Sequence, residues 1–202
     1  MNFSGERRSD QCMLWIDAVG GYWVCLGDEV VLGQPDRQGT ADVPILGDLS
    51  SRHARIRRNG EGYFIEALRE VRLDGRLVRE VGCLRDGSRI QLGESVHLLF
   101  RRPHVLSGTA RLEFLSRHRT QPSTDAVLLM AGTCILGSKP HCHVVCRDWP
   151  REVILFRQGE GLYCRTPGDF EIDGVFHEGR GPITQNSRVQ GDGFSLSLEA
   201  VT

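Results

Sequence analysis

Apolar and polar residues alternate in short runs along most of the chain. The runs include YWVCL (22–26), HARIRR (53–58), YFIEA (63–67), RIQL (89–92) and VHLLF (96–100), with glycine, aspartate or asparagine between them. Alternation with a period of two is typical of β-strands that bury one face. No long window keeps the 3.6-residue period of a capped helix. The pattern predicts an all-β protein with very little helix.

Two stretches of the chain match each other at a constant offset of 99 residues. Residues 60–93 and 159–192 share nine identities without a gap. Farther upstream, GDEVVLG (27–33) matches AGTCILG (131–137) at an offset of 104. A gapless offset over so long a stretch indicates a tandem duplication.

Each copy contains one Asp-Gly pair, Asp74-Gly75 in the first and Asp173-Gly174 in the second. Both pairs lie between two strand-like runs. Asp-Gly at such a place predicts a tight hairpin turn with positive φ. We therefore assign these residues to turn geometry.

Each copy predicts an antiparallel β-sandwich, because alternating strands need a second sheet to cover their apolar face. We expect an N-terminal tail over 1–11, a first sandwich over 12–102 and a degenerate second sandwich over 103–202. The stretch FRRPHVLSG (100–108) is the predicted junction.

Composition excludes several classes of partner. The net charge of −1, from 25 Lys+Arg and 26 Asp+Glu, gives no field for gathering nucleic acid or an anionic membrane. No apolar run is long enough for a transmembrane helix, and the N-terminus lacks the apolar core of a secretory signal. Seven cysteines without a CxxC pair favour a reducing compartment over a disulfide framework. We expect a cytoplasmic protein that neither binds nucleic acid nor inserts into a membrane.

The segment LSSRHARI (49–56) places a serine three residues before a histidine at the start of an alternating run. With Gly33 ending an earlier strand and a later Asp-Gly turn, the motif from Ser50 to His53 resembles the forkhead-associated (FHA) domain. The resemblance covers roughly residues 12–102, and the second copy resembles the family only through the first. It implies an eleven-stranded sandwich whose loops at one end bind phosphothreonine peptides.

The resemblance also implies a role for each matching residue. Ser50 would donate a hydrogen bond to the phosphate, and Ser51 would be a second donor. His53 would brace the loop by hydrogen bonds within it. The resemblance gives Gly33, Asp74 and Gly75 structural roles at the site.

The first copy departs from the family at two recognition positions. The arginine that grips phosphate in the family is replaced by Gln34, which brings no charge. The asparagine that holds the peptide backbone is replaced by Arg69. Arg69, on a facing loop, is our preferred substitute cation, and Arg37 and Arg52 flank the other two loops. The alternative is that all three are solvated surface side chains in an arginine-rich chain.

The second copy departs further. Ser138 stands at the arginine position, Trp149 at the serine and Glu152 at the histidine. A glutamate near the pocket would repel phosphate, so we expect this copy to be a structural partner or a protein-binding face. Its insertion SRHRTQPSTD (116–125) is expected at the same end as this vestigial pocket.

Catalysis and metal binding are both disfavoured. An activated serine needs a base oriented by a third group and an oxyanion hole, and the chain has no G-x-S-x-G elbow, P-loop or carboxylate dyad. The segment HCHVVC (141–146) offers zinc-ligand types. Alternation along a strand would send its neighbours to opposite faces, and no second ligand pair follows. We predict no enzyme, no metal and no cofactor.

The sequence thus predicts a non-catalytic protein-interaction module of the phosphothreonine-peptide-binding type, acting in Ser/Thr-kinase signalling. Its partner would be a protein or peptide phosphorylated on threonine, such as a Ser/Thr kinase or a kinase substrate. The alternative is a degenerate FHA pair that acts as a phosphate-independent binding or scaffold protein.

Overall fold

The computed structural model describes residues 10–60, 62–104 and 106–201. Within these ranges the protein forms strands and no helix. The predicted all-β sandwich class is confirmed. No described segment is a helix with the length and apolar character needed to cross a membrane.

The described residues form 20 strands. Those in the first half of the sequence are β1 (Gln11–Ile16), β2 (Gly20–Cys25), β3 (Glu29–Gly33), β4 (Val43–Pro44), β5 (Ala54–Asn59), β6 (Gly62–Ala67), β7 (Val71–Leu73), β8 (Arg76–Leu77), β9 (Val81–Leu84), β10 (Arg89–Leu92) and β11 (Val96–Arg101). Those in the second half are β12 (Ala110–Phe114), β13 (Ala126–Leu129), β14 (Thr133–Gly137), β15 (Val144–Val145), β16 (Val153–Gln158), β17 (Gly161–Ile172), β18 (Val175–Ile183), β19 (Arg188–Gly191) and β20 (Phe194–Ala200).

The first sandwich packs two sheets face to face. One sheet has the order β4-β3-β5-β6-β9, and the facing strands have the order β13-β12-β11-β10-β7-β8. Inward side chains from both sheets, such as Leu32, Ile65, Leu98 and Phe100, form one buried core. The alternating pattern of these strands is therefore the signature of one face packed on the opposite sheet.

The second sandwich has the same strand order. One sheet runs β15-β14-β16-β17-β18, and the facing strands run β18-β17-β19-β20-β1-β2. Strands β17 and β18 take part in both sheets, and their ladder shifts register between Arg165 and Asp169. Leu136, Leu155 and Leu196 belong to its core. The two sandwiches thus share one strand order, while the tandem duplication stays a prediction.

Each sandwich contains the hairpin that opens the other half of the chain. The hairpin of β1 and β2, hereafter the first hairpin, pairs along β20, with Cys12 opposite Ala200. The hairpin of β12 and β13, hereafter the second hairpin, pairs along β11, with Phe114 opposite Leu98. The two halves of the sequence thus exchange their opening hairpins.

The exchanged hairpins form a wall between two cores. Strands β2 and β13 pair in parallel and join the two facing sheets into one. Met13 and Trp23 belong to the core of the first sandwich, whereas Leu14 and Val24 belong to the core of the second. The expectation that YWVCL (22–26) buries only one face is therefore wrong, because a core lies on each side of the strand.

Both Asp-Gly pairs form the predicted turns. Asp74 has φ 50° and Asp173 has φ 52°, and the glycine after each has φ 81°. The side chain of each aspartate accepts a hydrogen bond from the backbone N–H across the ladder, Arg89 at 2.8 Å and Arg188 at 2.7 Å. The prediction of positive φ at these turns is confirmed.

The predicted junction between sandwiches is the loop of a hairpin. β11 and β12, which flank it, pair antiparallel, and Val105 within it lies outside the described residues. Of the predicted N-terminal tail, residues 1–9 also lie outside, and Gln11 already belongs to β1. The division at 102/103 stays a prediction, and hydrogen-bonded ladders run across it.

Candidate functional site

Three loops of the first sandwich meet at one end of the sheet β4-β3-β5-β6-β9. They are residues 34–42, the serine loop (45–53) and residues 68–70. Gly33 ends β3 against the serine loop, and a Cβ at Gly33 would lie 2.2 Å from the carbonyl oxygen of Ser51. The position requires glycine because backbone already occupies the space of a side chain.

His53 is buried and hydrogen-bonds two of the loops through its ring. The Nδ1 atom accepts from the N–H of Ser50 at 3.3 Å, so Nε2 carries the proton and donates to the carbonyl of Glu70 at 2.8 Å. The backbone carbonyl of His53 also accepts from the N–H of Arg69 at 2.9 Å. Within the described residues, the ring forms its hydrogen bonds with backbone groups, and no carboxylate orients it as a catalytic base would require.

The predicted hydrogen-bond donors lie on the braced loop or beside it. The N–H of Gln34 donates to the carbonyl of Ser50 at 3.1 Å, and the amide side chain of Gln34 is exposed. Ser50 and Ser51 are half-buried, and their hydroxyls form no hydrogen bond within the described part of the chain. The loop therefore combines a fixed backbone with unused hydroxyl groups.

The three candidate cations, Arg37, Arg52 and Arg69, are exposed and form no ion pair among the residues described. The guanidinium of Arg69 donates to the carbonyl of Leu68 at 2.9 Å. By contrast, Arg57 on β5 lies between two glutamate side chains. The arginines of the loops are thus available to an anion in a way that this strand arginine is not.

Acidic side chains share the same loops. Asp36 accepts from the N–H of Thr40 at 2.9 Å and from its hydroxyl at 2.5 Å, and these hydrogen bonds lower the pKa of Asp36. Glu70 pairs with Arg72 at 3.1 Å, and Asp48 is exposed. Phosphate binding here would depend on directed hydrogen bonds rather than on net positive charge.

The Asp74-Gly75 turn lies apart from these loops. It follows β7, whereas the 68–70 loop precedes β7. A strand of this length separates its ends by about 10 Å at roughly 3.3 Å per residue. The structure therefore does not bring Asp74 and Gly75 to the serine loop.

The insertion in the second hairpin packs beside the serine loop. The N–H of Leu46 donates to the carbonyl of Arg119 at 2.8 Å, and the N–H of Gln121 donates to the carbonyl of Pro44 at 2.9 Å. The expectation that this insertion reaches the pocket of the second copy is wrong, because the second hairpin belongs to the first sandwich. Local sequence contains no signal for the exchange.

The matching end of the second sandwich is built differently. Lys139 Nζ lies 2.9 Å from the Oε1 atom of Glu152, and this hydrogen-bonded ion pair lowers the pKa of Glu152. Trp149 is buried and packs on Phe194, with ring centroids 5.3 Å apart. Residues 138–143 form turns and bends, so the expectation of strand alternation at His141 to His143 is wrong. The alternation of apolar and polar residues gave no signal that these side chains converge.

Comparison with known proteins gives little further information. No family model matches the sequence, and no curated protein matches it. Among solved structures, the chain is similar to "Mycobacterium tuberculosis EmbR in complex with low affinity phosphopeptide", at 22% identity and a TM-score of 0.35. The match covers 48% of this chain and spans only 27% of the EmbR chain. A similarity this low carries no argument about function.

Proposed function

We propose that this protein is a non-catalytic interaction module that binds phosphothreonine peptides through the three loops of the first sandwich. The observation that carries the proposal is the brace at His53, which joins the serine loop to the 68–70 loop while the Ser50 hydroxyl stays unused. A phosphate group offers several strong acceptor oxygens and needs fixed donors. A loop that is already ordered loses little entropy when it binds.

In this proposal, each side chain that the sequence predicted at the site has a defined role in binding. The hydroxyl of Ser50 donates to the phosphate, and that of Ser51 is a second donor. Arg69 supplies the positive charge that Gln34 lacks, with Arg37 and Arg52 on the flanking loops. The partner is a protein phosphorylated on threonine, which places the module in Ser/Thr-kinase signalling, with a kinase or its substrate as the binding partner.

The non-catalytic part of the proposal is supported by the contacts of the histidine. A serine nucleophile needs a nearby base whose other nitrogen is oriented by a third group. Here Nδ1 of His53 is occupied by the N–H of Ser50 and Nε2 by the carbonyl of Glu70. Both ring nitrogens therefore serve the loop architecture.

One observation favours the second candidate function, a phosphate-independent binding or scaffold protein. Val175 and Phe176 begin β18, and 59% and 74% of their surfaces are exposed. Consecutive side chains point to opposite faces of a strand, so each of the two offers an apolar contact on its own face of β18. This candidate needs neither the serine loop nor the arginines.

The discriminating experiment is a binding screen against a degenerate phosphothreonine peptide library, with the same library unphosphorylated. We expect selective retention of phosphopeptides, followed by calorimetric titration of one selected peptide. Ser50→Ala should abolish or strongly weaken this binding. Ser138→Ala is the matched control, because Ser138 is an exposed serine after the equivalent glycine of the second sandwich.

Equal retention of both libraries would contradict the proposal and favour the scaffold function. The same conclusion would follow if Ser50→Ala bound the selected phosphopeptide as tightly as the wild type. Loss of that scaffold binding in a Phe176→Ser variant would then locate it on β18.

A further inference from the structure

A cluster of ligand-type side chains lies at the matching end of the second sandwich. His141, Cys142 and Glu152 each place one ligand atom, a ring nitrogen, a sulfur and a carboxylate oxygen, within 4.8 Å of the other two. The first two residues belong to the turn between β14 and β15, and Glu152 directly precedes β16. The three side chains thus converge from two separate segments of the backbone.

The convergence depends on a glycine. A Cβ at Gly137, the last residue of β14, would lie 2.9 Å from Cγ of Glu152 and 3.4 Å from Sγ of Cys142. The missing side chain leaves the space in which the carboxylate and the thiol approach each other. In the first sandwich, the matching Gly33 leaves that space to the backbone of the serine loop.

Two further histidines border the cluster with unpaired nitrogens. The ring of His104 lies 5.6 Å from that of His141, and its Nδ1 atom is buried without a hydrogen-bond partner in the described ranges. His143 is fully buried, and its Nδ1 accepts from the N–H of Ile135 at 2.9 Å, which leaves Nε2 as a buried donor without a partner there. Buried polar atoms without partners are rare and indicate a missing partner. An unprotonated nitrogen at His104 can take a metal ion, whereas the N–H of His143 needs an acceptor such as water.

The present partner of the carboxylate is replaceable. Lys139 pairs with Glu152, but 63% of the lysine side chain is exposed. An ion pair to an exposed lysine contributes little, because solvent competes for both charges. The long side chain can therefore turn into solvent when a dication takes its place beside Glu152.

We propose that His141, Cys142 and Glu152 form a binding site for a zinc-type transition-metal ion, with its fourth position open toward His104. Imidazole nitrogen, thiolate sulfur and carboxylate oxygen are the ligands that Zn²⁺ takes in proteins. The thiolate argues against Mg²⁺ and Ca²⁺, which take oxygen ligands. On binding, the Cys142 thiol loses its proton to solvent and the sulfur bonds to the metal. The ion would tie the β14–β15 turn to the start of β16.

The test uses the full chain, purified without a histidine tag and stripped with a chelator. Zn²⁺ is titrated in competition with a chromogenic chelator, and we expect one equivalent bound per chain. Co²⁺ is then added as a spectroscopic probe. It should give thiolate-to-cobalt charge-transfer absorption together with the visible bands of a tetrahedral site.

The variants identify the ligands. Cys142→Ser and Glu152→Gln should each weaken Zn²⁺ binding by about 100-fold or more, since even loss of a partner outside the coordination shell costs about 10- to 100-fold. Cys83→Ser is the matched control, because Cys83 is an exposed free cysteine on β9, and it should leave the affinity unchanged. Lys139→Met should tighten binding several-fold by removing the competing cation, and it remains informative if Cys142→Ser fails to fold.

Three results would overturn the site. The first is that the protein fails to hold Zn²⁺ against the chelator, and the second is a Co²⁺ spectrum without a thiolate band. The third is that Cys83→Ser loses Zn²⁺ binding while Cys142→Ser keeps it. Weaker binding in Lys139→Met would also contradict it. None of these outcomes bears on phosphopeptide binding, because that proposal rests on the other sandwich.

Discussion

The loop ends of the two sandwiches occupy the same place in the same strand order, yet the chain fills them in opposite ways. In the first, Gly33 packs against backbone, and a buried histidine orders the serine loop by hydrogen bonds to other backbone groups. In the second, Gly137 packs against the side chains of Glu152 and Cys142. The first arrangement presents hydrogen-bond donors from an ordered loop. The second brings reactive side chains together.

At both loop ends the glycine marks the position, and its contacts decide the chemistry. A strand that ends in glycine lets another group approach closely. Backbone groups in that space can bind an anion through N–H and hydroxyl donors. Side chains in that space suit a cation. If both proposals hold, the same scaffold supports ligands of opposite charge.

The assignment of each hairpin to its sandwich has the largest expected effect on stability. Leu14 is fully buried in the core of the second sandwich, although it lies in the first half of the sequence. We expect Leu14→Ala to lower the free energy of unfolding by about 2–5 kcal/mol, the usual cost of a leucine cavity. Hydrogen exchange should accelerate first in β19 and β20.

Met13→Ala is the control for that variant, because Met13 is the next residue on β1 and belongs to the core of the first sandwich. Its accelerated exchange should appear in β3 to β11 instead. An identical exchange pattern in both variants would mean that the exchanged hairpins do not distinguish the two cores.

The two glycines give a direct test of the difference between the loop ends. Gly33→Ala sets a Cβ 2.2 Å from a backbone oxygen, which cannot move without displacing the serine loop. We expect it to cost up to about 3 kcal/mol of stability, the upper range for overpacking. Gly137→Ala meets Cγ of Glu152 at 2.9 Å and Sγ of Cys142 at 3.4 Å, and both side-chain atoms can move. The nearest backbone atom of another segment, Cα of Glu152, lies at 3.4 Å, which is an ordinary van der Waals distance.

For Gly137→Ala we expect a net change within about 1 kcal/mol, because the small strain is offset by the lower entropy of the unfolded chain. Denaturant unfolding of both variants checks the pair. Equal losses of stability would refute the distinction between backbone and side-chain packing at these positions.

Gln34 allows a direct test of anion binding by the first sandwich. Gln34→Arg should add charge-assisted hydrogen bonds to a bound phosphate, worth on the order of 1.5–3 kcal/mol. At about 1.4 kcal/mol per tenfold, phosphopeptide binding should tighten roughly 10- to 100-fold. Calorimetric titration with a phosphopeptide and its unphosphorylated twin measures the effect.

Arg69→Ala completes this experiment as a double-mutant cycle. Arg69→Ala should weaken phosphopeptide binding in the wild-type background. The loss of affinity should be smaller in the Gln34→Arg background, because the new arginine supplies the positive charge beside the phosphate. A Gln34→Arg protein that folds normally without any gain in phosphate-dependent affinity would favour the scaffold function.

The brace at His53 has a modest expected effect on stability. His53→Ala removes two hydrogen bonds to backbone groups and should cost roughly 1–3 kcal/mol, since buried partners are left unsatisfied. His97→Ala on β11 is the matched control, because His97 is exposed and such a change usually stays within about 0.5 kcal/mol. Thermal melting compares the two variants. Equal melting temperatures would rule out a bracing role.

Local patterns predicted the local structure. Alternating runs predicted the strands, and the Asp-Gly pairs predicted turns with positive φ at Asp74 and Asp173. The exchange of hairpins was out of reach, because the alternation within a hairpin does not specify which sheet the hairpin joins. One signal was present and misinterpreted. YWVCL (22–26) is nearly continuous in apolar residues, which is typical of a strand enclosed on both faces.

Local patterns were equally limited in predicting the candidate sites. The spacing from Ser50 to His53 predicted their proximity, since both lie on one short loop. The proximity of Cys142 and Glu152 could not be predicted from alternation, because the HCHVVC segment begins in a turn and only Val144 and Val145 form a strand. The match between Gly33 and Gly137 was the available signal for a second loop end worth inspecting.

The pairing of β1 with β20 has a consequence for the order of folding. The indole of Trp15 donates to the carboxylate of Glu199 at 2.7 Å across a sequence separation of 184 residues. Strand β1 emerges from the ribosome before β20 and has to wait for it before this ladder can form. Contacts of such long range slow folding, and an unpaired apolar hairpin is prone to aggregation in the meantime. During synthesis, the first hairpin either remains exposed or pairs temporarily with its own half of the chain, and the second hairpin must then displace it.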